Sequence, residues 1–163
     1  MKLERNTIVG PFKSLETERP WGHYMLCADN EPSTTKVLFI KPEQSLSMQY
    51  HFRRSQFYMV LSSDITVQYS TIPVPKEILD MPPDDKQFKA LNDFLDSHLI
   101  TVKANKYDMF AFRKYVIHRT SYHGKEEHGL ILDVALQIDK GDCNDELDIV
   151  RISDFYGRSN FKN

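Results

Sequence analysis

Two histidines far apart in the chain frame the chemistry it could do. The segment Gln49-Tyr50-His51-Phe52-Arg53-Arg54-Ser55-Gln56 leads into an apolar stretch, and His118 follows another such stretch far downstream. In an extended strand, residues two apart share a face. This puts Gln49, His51 and Arg53 in one row and Tyr50, Phe52 and Arg54 in the other. An amide, an imidazole and a guanidinium in one row suggest chemistry more than packing. A catalytic metal site on a β-barrel needs three or four N or O donors from neighbouring strands, with one position left open. His51 and His118 offer imidazoles, and Gln49 and Gln56 offer amide oxygens. Such a neutral set holds zinc or another divalent ion less tightly than one with a carboxylate. Arg53 stays protonated and opposes a cation. With Arg54, Arg113 and Arg119 it is instead a candidate contact for an anion such as a sugar phosphate, whose oxygens a guanidinium grips in pairs. For any one of these arginines a surface salt bridge is the commoner role. His23, His98, His123 and His128 are weaker candidates as ligands.

The elements that must position these groups read as β-rich. Runs at Gly22 to Leu26, Lys36 to Ile40, Leu46 to His51, Phe57 to Leu61, Ile65 to Tyr69, Leu99 to Lys103, Met109 to Phe112 and Leu130 to Ile138 are β-branched or aromatic and separated by turn formers. Closely spaced antiparallel hairpins follow, hence an all-β sandwich or barrel. One stretch departs from this pattern. After Pro73, Pro75, Pro82 and Pro83, the apolar residues Phe88, Leu91, Leu95 and Leu99 fall near helical spacing, with Asp84 or Asp85 available as a cap. Residues 70–97 are therefore expected as an insertion carrying a helix on the barrel exterior. Covering a sheet edge is its simplest role; a partner surface or a lid over the mouth are the alternatives.

The chain's 163 residues suit one domain spanning 1–163. With 40% hydrophobic and 27% charged residues and a formal net charge of -2, it has no basic field to favour nucleic acid or an acidic membrane. Cys27 and Cys143 form no CxxC pair, and the amino terminus lacks the apolar segment of a secretory signal, so a reducing, cytoplasmic setting is expected.

Four segments then resemble one family. Arg19-Pro20-Trp21-Gly22, Leu46-Ser47-Met48-Gln49-Tyr50-His51 continuing through Arg54-Ser55, Ile117-His118-Arg119, and Asp148-Ile149-Val150-Arg151 with Asp154, Tyr156, Gly157 and Arg158 are similar, in order and spacing, to the type II mannose-6-phosphate isomerase domain of the cupin superfamily. The resemblance implies a double-stranded β-helix, or jelly roll, with a divalent metal inside, zinc foremost. It also implies interconversion of mannose 6-phosphate and fructose 6-phosphate through a cis-enediol. Carried over by position, His51 and His118 are metal ligands, Gln49 is a metal or sugar contact, and Arg54 or Arg119 holds the phosphate during catalysis. The chain departs from the family where His51-Phe52-Arg53 replaces three histidines and Gln56 replaces a glutamate ligand. Ser63 and Arg113 also stand in the regions of two turn glycines. A metal-free barrel using Arg53 to bind an anionic sugar is the competing reading. A third is an assembly role in which the inserted helix and the barrel edge form a homodimer.

Overall fold

The computed structural model describes residues 15–30, 33–137 and 148–158. Its strands are β1 (Leu15–Arg19), β2 (Gly22–Asn30), β3 (Ser33–Ile40), β4 (Gln44–Ser45), β5 (Met48–His51), β6 (Ser55–Val60) and β7 (Ile65–Ser70). After two helices, α1 (Lys76–Leu79) and α2 (Asp85–His98), come β8 (Leu99–Ala104), β9 (Met109–Phe112), β10 (His118–Tyr122), β11 (Gly129–Leu136) and β12 (Ile149–Ser153). They form two antiparallel sheets. The first runs β1-β2-β3-β11-β6-β9; the second runs β12-β5-β10-β7-β8, with β4 joining β10. The all-β expectation is met, and the sheets face each other as a jelly roll.

Alternation explains the core. In β6 and β11 every second residue is buried, which puts Tyr58, Val60 and Ile131 inside with Ile65 and Val67 of β7 and with Trp21, Ile40 and Phe112. The turn at residues 20–22 admits only glycine at its end. Gly22 has φ +145°, and a side chain there would drive into the Phe39 carbonyl of β3. This close approach seats Trp21 in the core and Arg19 at its rim.

The inserted segment packs on a face. Asp84 caps α2, its carboxylate accepting the backbone N–H groups of Lys86 (2.9 Å) and Gln87 (3.1 Å). Leu91 and Phe94 then pack with Met48 and Tyr50 of β5, Ile117, and Ile152 of β12. The helix thus lies over the outer face of the second sheet; neither the edge-covering role nor the lid applies to these contacts. Four strands lie outside the runs expected from sequence: β1, β4 and β10 are short and mostly polar, and β12 is a five-residue strand, Ile149-Val150-Arg151-Ile152-Ser153, without regular alternation. Ile138 lies outside the described residues. Among the described residues no helix is long and apolar enough to cross a membrane.

Leu91 is fully buried, so Leu91→Ala should cost about 2–5 kcal/mol of folding free energy, read as a lower denaturation midpoint in urea. An unchanged midpoint would mean that α2 is not packed as described.

Candidate functional site

β5 ends at His51, and the chain bends through Phe52 and Arg53 before β6 begins at Ser55. The bend is pinned by Asp148. Its carbonyl accepts the Phe52 N–H (3.2 Å), and its carboxylate accepts the Arg53 N–H (2.6 Å). Three residues outside the strands, Phe52 to Arg54, reset the alternation. Gln49 and His51 face inward before the bend, whereas Arg54 and Gln56 face inward after it, and the Arg53 side chain is left about one-third exposed. The expected row of Gln49, His51 and Arg53 is therefore corrected at its last member, and Arg54, expected on the opposite face, takes its place.

Between the sheets lies a cavity of about 170 Å³, bordered by Gln49, Arg54, Gln56, Tyr58 and Asp133 and by cationic groups from several elements: Arg19, Lys36 of β3, Arg151 of β12 and Arg158. Five cations and one carboxylate line it, and Arg19, Arg151 and Arg158 also border the adjoining surface depression. Of these, the reading of candidate roles named only Gln49, Arg54 and Gln56. Lys36, Tyr58 and Asp133 carried no signal beyond being polar residues in otherwise apolar strands. Arg119 is placed elsewhere. It follows His118 in β10, so it points to the other face, where its guanidinium donates twice to Gln68 Oε1 (2.9 and 2.7 Å) and lies over Phe155. Arg119 and Arg53 thus stand outside the cavity lining, contrary to the anion-binding role expected of them. Arg113 is exposed and does not line it either.

His51 and His118 do converge, with ring centroids 5.4 Å apart, behind Gln56 and not in the cavity wall itself. His118 is stacked on Phe112 at 4.4 Å, and Tyr58 meets it edge-on. Desolvation dominates both rings. It lowers the His118 pKa to about 4, and it carries His51 well below the usual histidine range with further help from the Arg54 charge. Both are neutral imidazoles near pH 7.

Their hydrogen bonds say what could lie between them. The Val116 carbonyl can only accept, so His118 Nδ1 carries the proton of that 3.0 Å bond and Nε2 carries a lone pair. Nε2 is 2.8 Å from Gln56 Oε1, also an acceptor, because Gln56 Nε2 donates to the two Asp133 oxygens (3.4 and 3.3 Å). Two buried acceptors at that distance need a positive charge beside them or a turned amide. The turned amide points Oε1 at Asp133 and requires that carboxyl to hold a proton. Among the described residues neither ring nitrogen of His51 makes a well-formed hydrogen bond, though Nδ1 lies 3.7 Å from Asp148 Oδ2. An N/O-binding divalent cation fits this donor set, with His51, His118 and Gln56 as its holders. The set is uncharged, and Arg54 is close enough to bias both rings electrostatically, which weakens such a site. Gln49 is tied to the Ser47 hydroxyl, which donates to its Oε1 at 2.6 Å. It lines the cavity.

The two turns at departures from the family hold non-glycine residues in the left-handed region: Asp64 (φ 58°) beside Ser63, and Tyr115 (φ 66°) beside Arg113. Tyr115 donates its N–H to the His51 carbonyl, tying the second turn to the first histidine. Among the described residues the one group of three His, Cys, Asp or Glu side chains near enough to share an ion is Glu16, Glu18 and His23, none of which lines the cavity.

Comparison with known proteins agrees with the fold. The family model described as the carboxyl-terminal part of mannose-6-phosphate isomerase matches residues 12–76. Among solved structures, an RmlC-like cupin from Shewanella frigidimarina superposes with a TM-score of 0.51 at 10% identity, over 78% of this chain and 87% of that one. The fold is the cupin fold. KdgF from Halomonas sp. gives 0.50 at 11% identity over 78% and 90% of the two chains. The capsular polysaccharide assembling protein CapF from Staphylococcus aureus gives 0.57 at 10% identity, over 86% of this chain and 34% of CapF. The chain thus spans about a third of the length of CapF. No curated protein matches it by sequence. The matched family segment contains His51, Arg54 and Gln56, but ends before His118.

Two outcomes follow from the site. Replacing Gln56 by Glu restores a charged ligand and should tighten zinc or manganese binding by about 10–100-fold in calorimetry; equal or weaker binding would remove Gln56 from the ligand set. The pH dependence also has a definite sign. Because the folded pKa of His118 lies near 4 and that of His51 is lowered too, the unfolded chain takes up their protons first, and stability is lost as pH falls from about 6.5. Burial raises Asp133 to about 6, so it works the other way between about 6 and 3.8. Two histidines outweigh one carboxylate. The melting temperature should fall from pH 7 to pH 5, and fall more steeply in Asp133→Asn; a higher melting temperature at pH 5 would contradict the burial of the rings.

Proposed function

We propose that this cupin binds a phosphorylated sugar in the barrel and interconverts its aldose and ketose forms, mannose 6-phosphate with fructose 6-phosphate being the pair that the family likeness suggests. The observation that carries this reading is a cavity with five cationic side chains and a single carboxylate, set directly in front of the two buried imidazoles. Arg19, Arg151 and Arg158 at the mouth would hold the phosphate, and Arg54 with the Gln49 amide would hold sugar oxygens deeper in.

Asp133 is the one cavity-lining carboxylate and the natural proton carrier. It would take the proton from C2 of the aldose and return it to C1, while the O2 proton passes to O1 and the carbonyl moves from C1 to C2. The Tyr58 hydroxyl stays protonated, since burial raises its pKa well above the usual value, and it can donate to a developing enediolate oxygen. A divalent ion held by His51, His118 and Gln56 would polarise the sugar oxygens and spread the negative charge.

Purified protein given mannose 6-phosphate with zinc, manganese or cobalt should form fructose 6-phosphate. Asp133→Asn should lower kcat by about 10²-fold or more, and Arg151→Gln should chiefly raise KM. Turnover no greater than that of His51→Ala would end the isomerase reading. A second reading, a non-catalytic binder of an anionic sugar, is favoured by Arg54, whose buried charge sits close to an uncharged ligand set. It is distinguished by elemental analysis that finds no metal, together with calorimetric binding of the sugar phosphate without turnover.

A further inference from the structure

The cluster of metal-binding side chains at Glu16, Glu18 and His23 is not used by the cavity. It sits where β1 meets β2, on the outer face of the first sheet. Strand pairing sets Glu18 directly opposite His23, and Glu16, two residues earlier, shares their face. One ligand atom from each of the three lies within 4.8 Å of the other two, and His23 Nε2 is 3.3 Å from Glu16 Oε1. The plain reading is a charged edge strand with a surface ion pair, a common way to discourage edge-to-edge pairing. Two observations go beyond it. Carboxylates on one face repel each other, yet among the described residues neither is paired with a lysine or arginine, and Arg19 turns to the other face, over Tyr24. His23, moreover, is no loose surface side chain. It is 15% exposed, its ring lies flat on Phe39 of β3 with centroids 4.4 Å apart and planes at 13°, and His128 meets it edge-on at 5.1 Å. The imidazole reaches the carboxylates with its direction already set, so little rotamer freedom remains to be lost on binding.

The spacing suits a particular ion. A tetrahedral zinc with bonds of about 2.0–2.2 Å to nitrogen and oxygen holds its donors about 3.3–3.6 Å apart. His23 and Glu16 already stand at that separation. Glu18 is exposed, and rotation of its carboxylate closes a gap of at most about 1.5 Å. Water completes the coordination, while His128 stays outside the three-atom group and steadies the ring. The donor chemistry narrows the choice further. Two carboxylates offset the charge of a divalent ion, which the neutral set of His51, His118 and Gln56 does not. One imidazole among three donors suits zinc and its neighbours; magnesium and calcium call for six or more oxygens.

We propose that Glu16, Glu18 and His23 form a zinc site on the outside of the first sheet, independent of the barrel interior, which clips the edge strand β1 to β2. The clip holds the strand whose opposite face carries Arg19 to the cavity. Calorimetry of the full chain with zinc alone should show a site that survives His51→Ala. His23→Ala should weaken it at least tenfold, and so should Glu18→Gln, a substitution at an exposed position that leaves circular dichroism unchanged. Cobalt(II) in place of zinc should give the visible absorption of a four-coordinate ion, lost in His23→Ala and kept in His51→Ala. Magnesium at the same concentration should neither bind nor displace zinc. The proposal is overturned if the unsubstituted chain binds no zinc, or if His51→Ala abolishes all of it and so assigns the metal to the barrel. Zinc affinity unchanged in both His23→Ala and Glu18→Gln would overturn it as well. Magnesium binding as tight as zinc would do the same, by reducing the cluster to an adventitious attraction for cations.

Discussion

The site depends on one buried carboxylate. Asp148 is fully inaccessible, and it fastens the bend after β5 through the Arg53 N–H while standing 3.7 Å from His51 Nδ1 and 3.6 Å from Arg54 Nε. A charge so deeply buried is tolerated only among donors and opposite charge, and here the donors are the residues whose directions matter. Without the bend, strict alternation would point Arg53 inward and Arg54 out. With it, His51, Arg54 and Gln56 all reach the interior from a segment of six residues.

Net charge conceals how the charges are arranged. A formal charge of -2 over 163 residues excludes a broad basic surface, yet five cations border one small cavity. They come from the β1 end, β3, the loop before β6, β12 and the segment after it, so only the closed barrel makes them neighbours. Low-dielectric walls then strengthen their combined field on any anion inside.

That arrangement also sets how much was legible beforehand. The β-rich class followed from apolar alternation, and α2 followed from the spacing of Phe88, Leu91 and Leu95 against a proline-rich background. The convergence of His51 and His118 followed from the motifs that contain them. The roles of Arg53, Arg54 and Arg119 did not. Strand parity predicts facing only while a strand continues, and the bend at Phe52–Arg53 interrupts it; Arg119 was misjudged because β10, with its run His118-Arg119-Thr120-Ser121-Tyr122, lacks an apolar pattern that would have marked it as a strand. Asp133 was hidden for the opposite reason. It is one polar residue in an apolar strand, and only the register β3-β11-β6 shows it opposite Lys36 and Tyr58, with the Gln56 amide donating to its carboxylate.

β5 has a further consequence. Its four residues are all buried, Gln49 and His51 against the interior and Met48 and Tyr50 beneath α2. The strand is therefore a shared wall, with a helix seated on one side and the histidine on the other. Because a close-packed strand transmits displacement across its thickness, substitutions in the helical groove reach the imidazole as changes in its aim. Drift in the insertion is held in check by the chemistry behind it.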